Sequence, residues 1–400
     1  MTTQNAFSAR LAGLAACLGI ATLGSLAPAR AADPGVTDTE VKIGDVNILT
    51  GPASFIGRAV SIGSKLAAAE INAAGGVAGR KIVFATEDDG YVPSRSFQAL
   101  KKLVESDGIF ALSGTSGSAN ILAMLPLIEE NKLPTLVTTT PNELVYTPLR
   151  PTVFTIGATY QDSFYAQVKY IHETLRPQGG VYGVIRQDDE FGAAVEGGYD
   201  RAVKEFGLKD GLRLKFKRGT TNFGAEVLQL RAAGVNALVN GGIIAGAANI
   251  LGEARKLNMD LSVASVWSED MPPSVKLSQP ANYPYLVADY VALNDASTER
   301  FTETARKHLS ADEIAGINRY SYITYVGVKV LAKAMAACGR DLTRACAVAE
   351  LRKIKDFDTG GLTAPISFDN DRQLSGRELK IYQLDPKAGT FKTLVDFKRY

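Results

Sequence analysis

Three short runs of serine, threonine and glycine are the places in this chain where chemistry could occur. They are Thr50–Gly51–Pro52–Ala53–Ser54–Phe55, Ser113–Gly114–Thr115–Ser116–Gly117–Ser118 and Thr138–Thr139–Thr140. Hydroxyls donate hydrogen bonds, and glycines leave backbone N–H groups open to close approach. Where such a run opens a helix, the helix N-terminus adds partial positive charge. Together these groups could hold a carboxylate without an arginine. Any one run alone would serve equally as a helix cap, but three at equivalent places favour a binding role.

Groups suited to catalysis are scarce. The only histidines are His172 and His308, each inside a helical pattern. Gly57 to Lys65 superficially resembles a phosphate loop, but the glycine spacing and the order Ser64–Lys65 are wrong for one. Gly114–Thr115–Ser116–Gly117 lacks the glycine two residues after serine that a nucleophile elbow needs. No metal-ligand spacing is present and no cofactor is expected. Outside the first residues only Cys338 and Cys346 remain. Close in sequence, they suit either a disulfide worth about 2–4 kcal/mol or two free thiols on separate helices.

The elements that must position these runs follow a repeated order. Residues 41–46, 81–85, 109–112, 133–137 and 152–156 read as strands, with helices over 61–72 and 94–105. The pattern then restarts, with strands over 181–185, 212–216, 237–239 and 261–266 and helices over 193–206, 225–233 and 245–257. This alternation predicts an α/β chain with two doubly wound parallel-sheet lobes. The hydroxyl runs then fall at the carboxyl ends of strands, where such sheets bind ligands. Helices over 298–309 and 320–337 follow, and 366–368, 378–384 and 391–397 read as closing strands.

Residues 1–31 have the pattern of a cleaved secretion signal: Arg10, an apolar run from Leu11 to Leu26, and Ala29–Arg30–Ala31 as the cutting site. Leu14–Ala15–Ala16–Cys17 resembles a lipobox, but the apolar run continues past Cys17, which favours plain cleavage. The mature chain is expected in the periplasm. The whole chain carries 44 lysines and arginines against 42 acids, and the signs balance once Arg10 and Arg30 leave with the signal. Such a balance speaks against nucleic acid or an anionic membrane as partner.

The chain resembles the periplasmic substrate-binding proteins of the branched-chain amino-acid (leucine/isoleucine/valine) ABC transporters. The resemblance is carried by Val41–Lys42–Ile43–Gly44, by Thr50–Gly51–Pro52, and by the run Ile71–Asn72–Ala73–Ala74–Gly75–Gly76–Val77–Ala78–Gly79–Arg80–Lys81–Ile82. Asp88–Asp89–Gly90–Tyr91, Pro93 and Phe191–Gly192 extend it. It covers roughly residues 36–400 and implies a type I periplasmic binding protein, two lobes joined by a three-crossing hinge that closes on ligand. The crossings are expected near Gly157, Asp289 and Gly361. The first lobe is then residues 36–156 plus 290–360, and the second 157–289 plus 361–400.

The function so implied is capture of a small carboxylate ligand, a branched-chain or related amino acid, and its delivery to an ABC permease. The protein is expected to act as a monomer and not as an enzyme. The same fold could serve an aromatic acid, an amide or urea, or a sensor with a partner receptor. By position, the ligand carboxylate falls to Gly117, Ser118, Thr138 and Thr140, with Phe55 as a wall. The second lobe departs from the family pattern. Phe191 stands where the family has tyrosine, Ile243 where it has another aromatic, and Trp267 where it has the glutamate that pairs with the ligand ammonium. Glu269 or Asp270 is near enough to take that glutamate's part if the loop shifts.

Overall fold

The computed structural model describes residues 33–243, 245–270, 284–368, 373–385 and 387–400, with backbone alone for Glu269 and Asp270. The signal segment and Cys17 lie outside the described residues.

Strands β1 (Glu40–Asn47), β2 (Lys81–Asp88), β3 (Ala111–Ser113), β4 (Thr135–Val137) and β5 (Val153–Ile156) come first. They are followed by β6 (Val181–Gln187), β7 (Lys209–Phe216), β8 (Ala237–Gly241), β9 (Ser262–Ser265) and β10 (Tyr285–Asp289). Last come β11 (Leu374–Ser375), β12 (Leu379–Asp385) and β13 (Thr390–Lys398). One sheet has the order β11-β5-β4-β3-β1-β2 and the other β13-β12-β10-β9-β8-β6-β7. All pairs are parallel except β10 with β12 and β12 with β13. Strands β3, β4 and β5 are buried at every residue, as expected for strands with helices on both faces. Edge strand β7 keeps exposed positions.

Helix packing explains one motif that resembled chemistry. Helix Ser54–Ala73 buries Ile56, Ala59, Val60, Ile62, Leu66 and Ala67 and lies along helix Arg319–Ala337. A Cβ on Gly63 would stand 2.3 Å from the Ser321 carbonyl oxygen, and one on Gly57 2.2 Å from that of Ile48. The glycine spacing therefore serves close backbone approach, not a phosphate.

The chain leaves the first sheet after Ile156, returns after Asp289, and crosses a third time between Ser375 and Leu379. This corrects the crossing expected near Gly361. Leu374–Ser375 pairs in parallel with β5, held by Thr155 N–H to the Gln373 carbonyl at 2.9 Å and Gly157 N–H to that of Ser375 at 2.8 Å. Gly360 and Gly361 instead turn against helix Ala296–Ala305, where Arg300 donates to the Gly360 carbonyl at 2.8 Å. The strand read over 366–368 is only a bridge between Phe357 and Ile366. Cys338 and Cys346 form a disulfide.

Candidate ligand site in the cleft

Beyond β3 the chain makes the turn Gly114–Gly117 and enters helix Ser118–Glu130, whose first turn has no acid and no side-chain cap. Its positive end is therefore open to an anion. Gly117 has φ 94°. A Cβ there would stand 2.7 Å from Asn120 Oδ1 and 2.8 Å from Tyr91 Cε2, so glycine alone fits. The threonines after β4 brace this turn. Gly117 N–H donates to Thr140 Oγ1 at 2.9 Å, and the Thr139 hydroxyl donates to the Thr115 carbonyl. The hydroxyls of Ser118 and Thr138 are buried without a hydrogen-bond partner among the described residues.

A narrow pocket, partly open to solvent, lies between the lobes. One side is formed by Ile56, Tyr91, Ser116, Gly117, Ser118 and Tyr320, the other by Tyr160, Phe191, Ile243, Val266 and Ser268. Phe191 sits in the first turn of helix Glu190–Phe206, capped by Asp189, which accepts from Gly192 N–H at 3.0 Å. Its ring meets Tyr160 edge-on, centroids 4.9 Å apart. No lining side chain among the described residues is a carboxylate or a cation. Interlobe hydrogen bonds from Asn142 Nδ2 to the Glu190 carbonyl at 3.1 Å and from Arg218 Nη1 to the Tyr91 carbonyl at 2.8 Å hold the cleft shut.

Of the residues read from sequence, Gly117, Ser118, Phe191 and Ile243 meet at this cavity. Thr138 and Thr140 do not line it: Thr140 supports the turn through Gly117 N–H, and the Thr138 carbonyl accepts from the Tyr290 hydroxyl at 2.7 Å. Phe55 does not line the cavity; it is partly buried against the core. Trp267 also stands behind the wall, because Tyr160 stacks over it at 4.6 Å and 17° and leaves it wholly buried. The Glu269 side chain lies outside the described residues, although its neighbour Ser268 lines the cavity. Sequence reasoning missed Tyr91, Tyr160 and Tyr320 as lining groups. Tyr91 was visible inside the Asp88–Tyr91 motif. The other two follow helix caps at Thr159 and Asn318, a signal open to reading.

Below the cavity, where the chain recrosses, Asp289 and Arg319 form a wholly buried ion pair. Arg319 Nε donates to Oδ2 at 2.5 Å and Nη2 to Oδ1 at 2.7 Å. The guanidinium lies 5.3, 4.9 and 4.8 Å from the ring centroids of Trp267, Tyr290 and Tyr320. Burial pushes the Tyr290 phenol up to about 12, although the Arg319 charge pulls the other way. Burial likewise holds the Tyr160 phenol well above its ordinary value. Both phenols stay protonated at ordinary pH. Neither His172 nor His308 lines the cavity. Among the described residues, no three His, Cys, Asp or Glu side chains gather as a metal set.

Two doubly wound lobes joined by three crossings, with a hydroxyl-and-aromatic pocket between them, are the architecture of a solute-binding protein. Residues 40–390 match the periplasmic binding protein family. The chain belongs to that family and is of its leucine/isoleucine/valine-binding type, whose place is outside the cytoplasm. It is 25% identical over 371 residues to the leucine-specific-binding protein of Salmonella typhimurium, covering 89% of this chain and 94% of the relative. It is 22% identical over 349 residues to an amino acid binding protein of Pseudomonas aeruginosa, covering 87% and 91%. Similar solved folds include a fatty acid ABC transporter substrate-binding protein from Thermomonospora curvata, with TM-score 0.80, 21% identity and coverage of 92% and 95%. Another is a solute-binding protein of R. palustris in complex with 4-hydroxybenzoate, with TM-score 0.79, 16% identity and coverage of 90% and 97%. A third is a branched-chain amino acid ABC transporter protein of Thermus thermophilus with bound valine, with TM-score 0.78, 19% identity and coverage of 90% and 97%.

Proposed function

We propose that this protein captures a small carboxylate without an ammonium group, aromatic or short and branched, and presents it to an ABC permease. One observation carries the reading. Ser118, buried and unpartnered among the described residues, opens a helix at a cavity whose described lining has no acid. A carboxylate there gains the hydroxyl and the helix N-terminus, the latter worth up to about 2 kcal/mol in a partly buried setting. The phenols, Phe191 and Ile243 cover the body of the ligand, and each 100 Å² of apolar surface so buried adds about 2.5 kcal/mol. An ammonium facing that lining would be buried without a counter-charge, which is costly. The solved neighbours' ligands 4-hydroxybenzoate and valine share a carboxylate and differ in the amine. That difference is the choice this reading assigns to the cleft.

A second reading keeps an α-amino acid as ligand. It is favoured by the backbone position of Glu269 beside Ser268 and by the leucine-specific relative. Titration of Ser118→Ala with benzoate tests the main reading. Affinity should fall about 10- to 100-fold, the value of a hydrogen bond to a charged group. Wild-type affinity in the variant would show that the carboxylate lies elsewhere.

A further inference from the structure

We infer that Tyr91 is a partition that sets the length of the ligand, and that Arg218 locks it in place when the lobes close. The inference rests on the carboxylate reading for where the ligand's head lies. Beyond this inner pocket lies a larger hollow of about 380 Å³, partly open to solvent, whose apolar lining includes Ile48, Pro52, Ala53 and Phe216. It shares Tyr91 and Ile243 with the inner cavity. The two spaces are therefore neighbours, and Tyr91 and Ile243 belong to the wall they share. One edge of the Tyr91 ring rests on Gly117. Its face carries the Arg218 guanidinium, 4.0 Å from the ring centroid.

Arg218 is itself fixed. Nη1 donates to the Tyr91 carbonyl and Nη2 to Asp189 Oδ2, each at 2.8 Å. Asp189 also caps the helix that carries Phe191. On the other lobe, Tyr91 is held at φ 67° with its N–H donating to Asp89 Oδ1 at 2.8 Å. Arg218 and Asp189 come from the second-sheet lobe and Tyr91 from the first, so only closure assembles the wall. With the wall in place the ligand is confined to the inner cavity. With the ring removed, a hydrocarbon chain whose carboxylate stays at Ser118 can run on into the apolar hollow.

The test is calorimetric titration of the wild-type protein and Tyr91→Ala with butanoate, hexanoate, octanoate and decanoate, and with primary alcohols of the same lengths. In the variant, the ratio of octanoate to butanoate affinity should rise about tenfold or more over wild type, the value of roughly two newly buried methylenes. Arg218→Met, which unlocks the ring without removing it, should move the ratio in the same direction and answers the question if Tyr91→Ala does not fold. If the alcohols show the shift and no acid binds, the partition stands and the carboxylate reading falls. An unchanged length profile in both series, or no binding of either series to a folded Tyr91→Ala, overturns the partition.

Discussion

Asp289→Asn is predicted to be among the most damaging single-atom changes in this protein. The wild-type pair has both side chains at 0% exposure. Burial alone would lower the Arg319 pKa, but the Asp289 charge and hydrogen bonds, together with Tyr290 and Tyr320, outweigh it and hold the guanidinium protonated. The variant keeps the shape and removes the counter-charge. It also turns an amide N–H₂ toward guanidinium N–H groups where Oδ1 and Oδ2 now accept. Breaking one side of a buried pair costs about 3–5 kcal/mol. The three rings around Arg319 do not offset this, because they already stabilise the cation in the wild type. Urea unfolding followed by circular dichroism should show the loss as a lower midpoint. Adding Arg319→Met should restore much of it, giving a coupling of about 2 kcal/mol or more between the sites. A cost under about 1 kcal/mol for Asp289→Asn, or strict additivity in the double variant, would refute the view that this pair bolts the crossing.

Trp267→Ala should act through stability, costing about 3–5 kcal/mol, because the ring is buried behind Tyr160. If melting is unchanged while ligand preference shifts, Trp267 faces the ligand after all. Asp45 is wholly buried, and burial raises its pKa well above normal against a smaller opposing hydrogen bond from Asn47. A raised carboxyl favours folding fully below the unfolded value near 3.8 and loses that contribution as pH climbs through the folded value. Asp45→Asn should therefore gain stability over wild type from pH 4 toward pH 7 in urea titrations. A pH-independent difference would mean Asp45 is charged in the fold.

The α/β class and most strand and helix positions were legible because period and turn chemistry agree along the chain. Leu112, Leu136 and Phe154, for example, fall in short apolar runs that the helices cover on both faces. Helix Ser118–Glu130 was legible from the glycine–serine run before it. What failed depended on tertiary pairing. Leu374–Ser375 is too short to declare a strand by pattern, and only its pairing with β5 moves the third crossing. Residues 285–289, the strand that ends in Asp289, drew no reading although every one is buried. The site was half legible. Ser118 and Phe191 are local to helix starts, whereas the layering that puts Tyr160 in front of Trp267 and Tyr91 against Gly117 comes from packing between segments far apart in sequence.

The most direct test of the central claim is a paired calorimetric titration of the protein with 4-hydroxybenzoate and with leucine at neutral pH. The account predicts saturable binding of 4-hydroxybenzoate with micromolar or tighter affinity, about −8 kcal/mol, and binding of leucine at least about a hundredfold weaker. Tight binding of leucine with no heat from 4-hydroxybenzoate would contradict it and return the cleft to an α-amino acid.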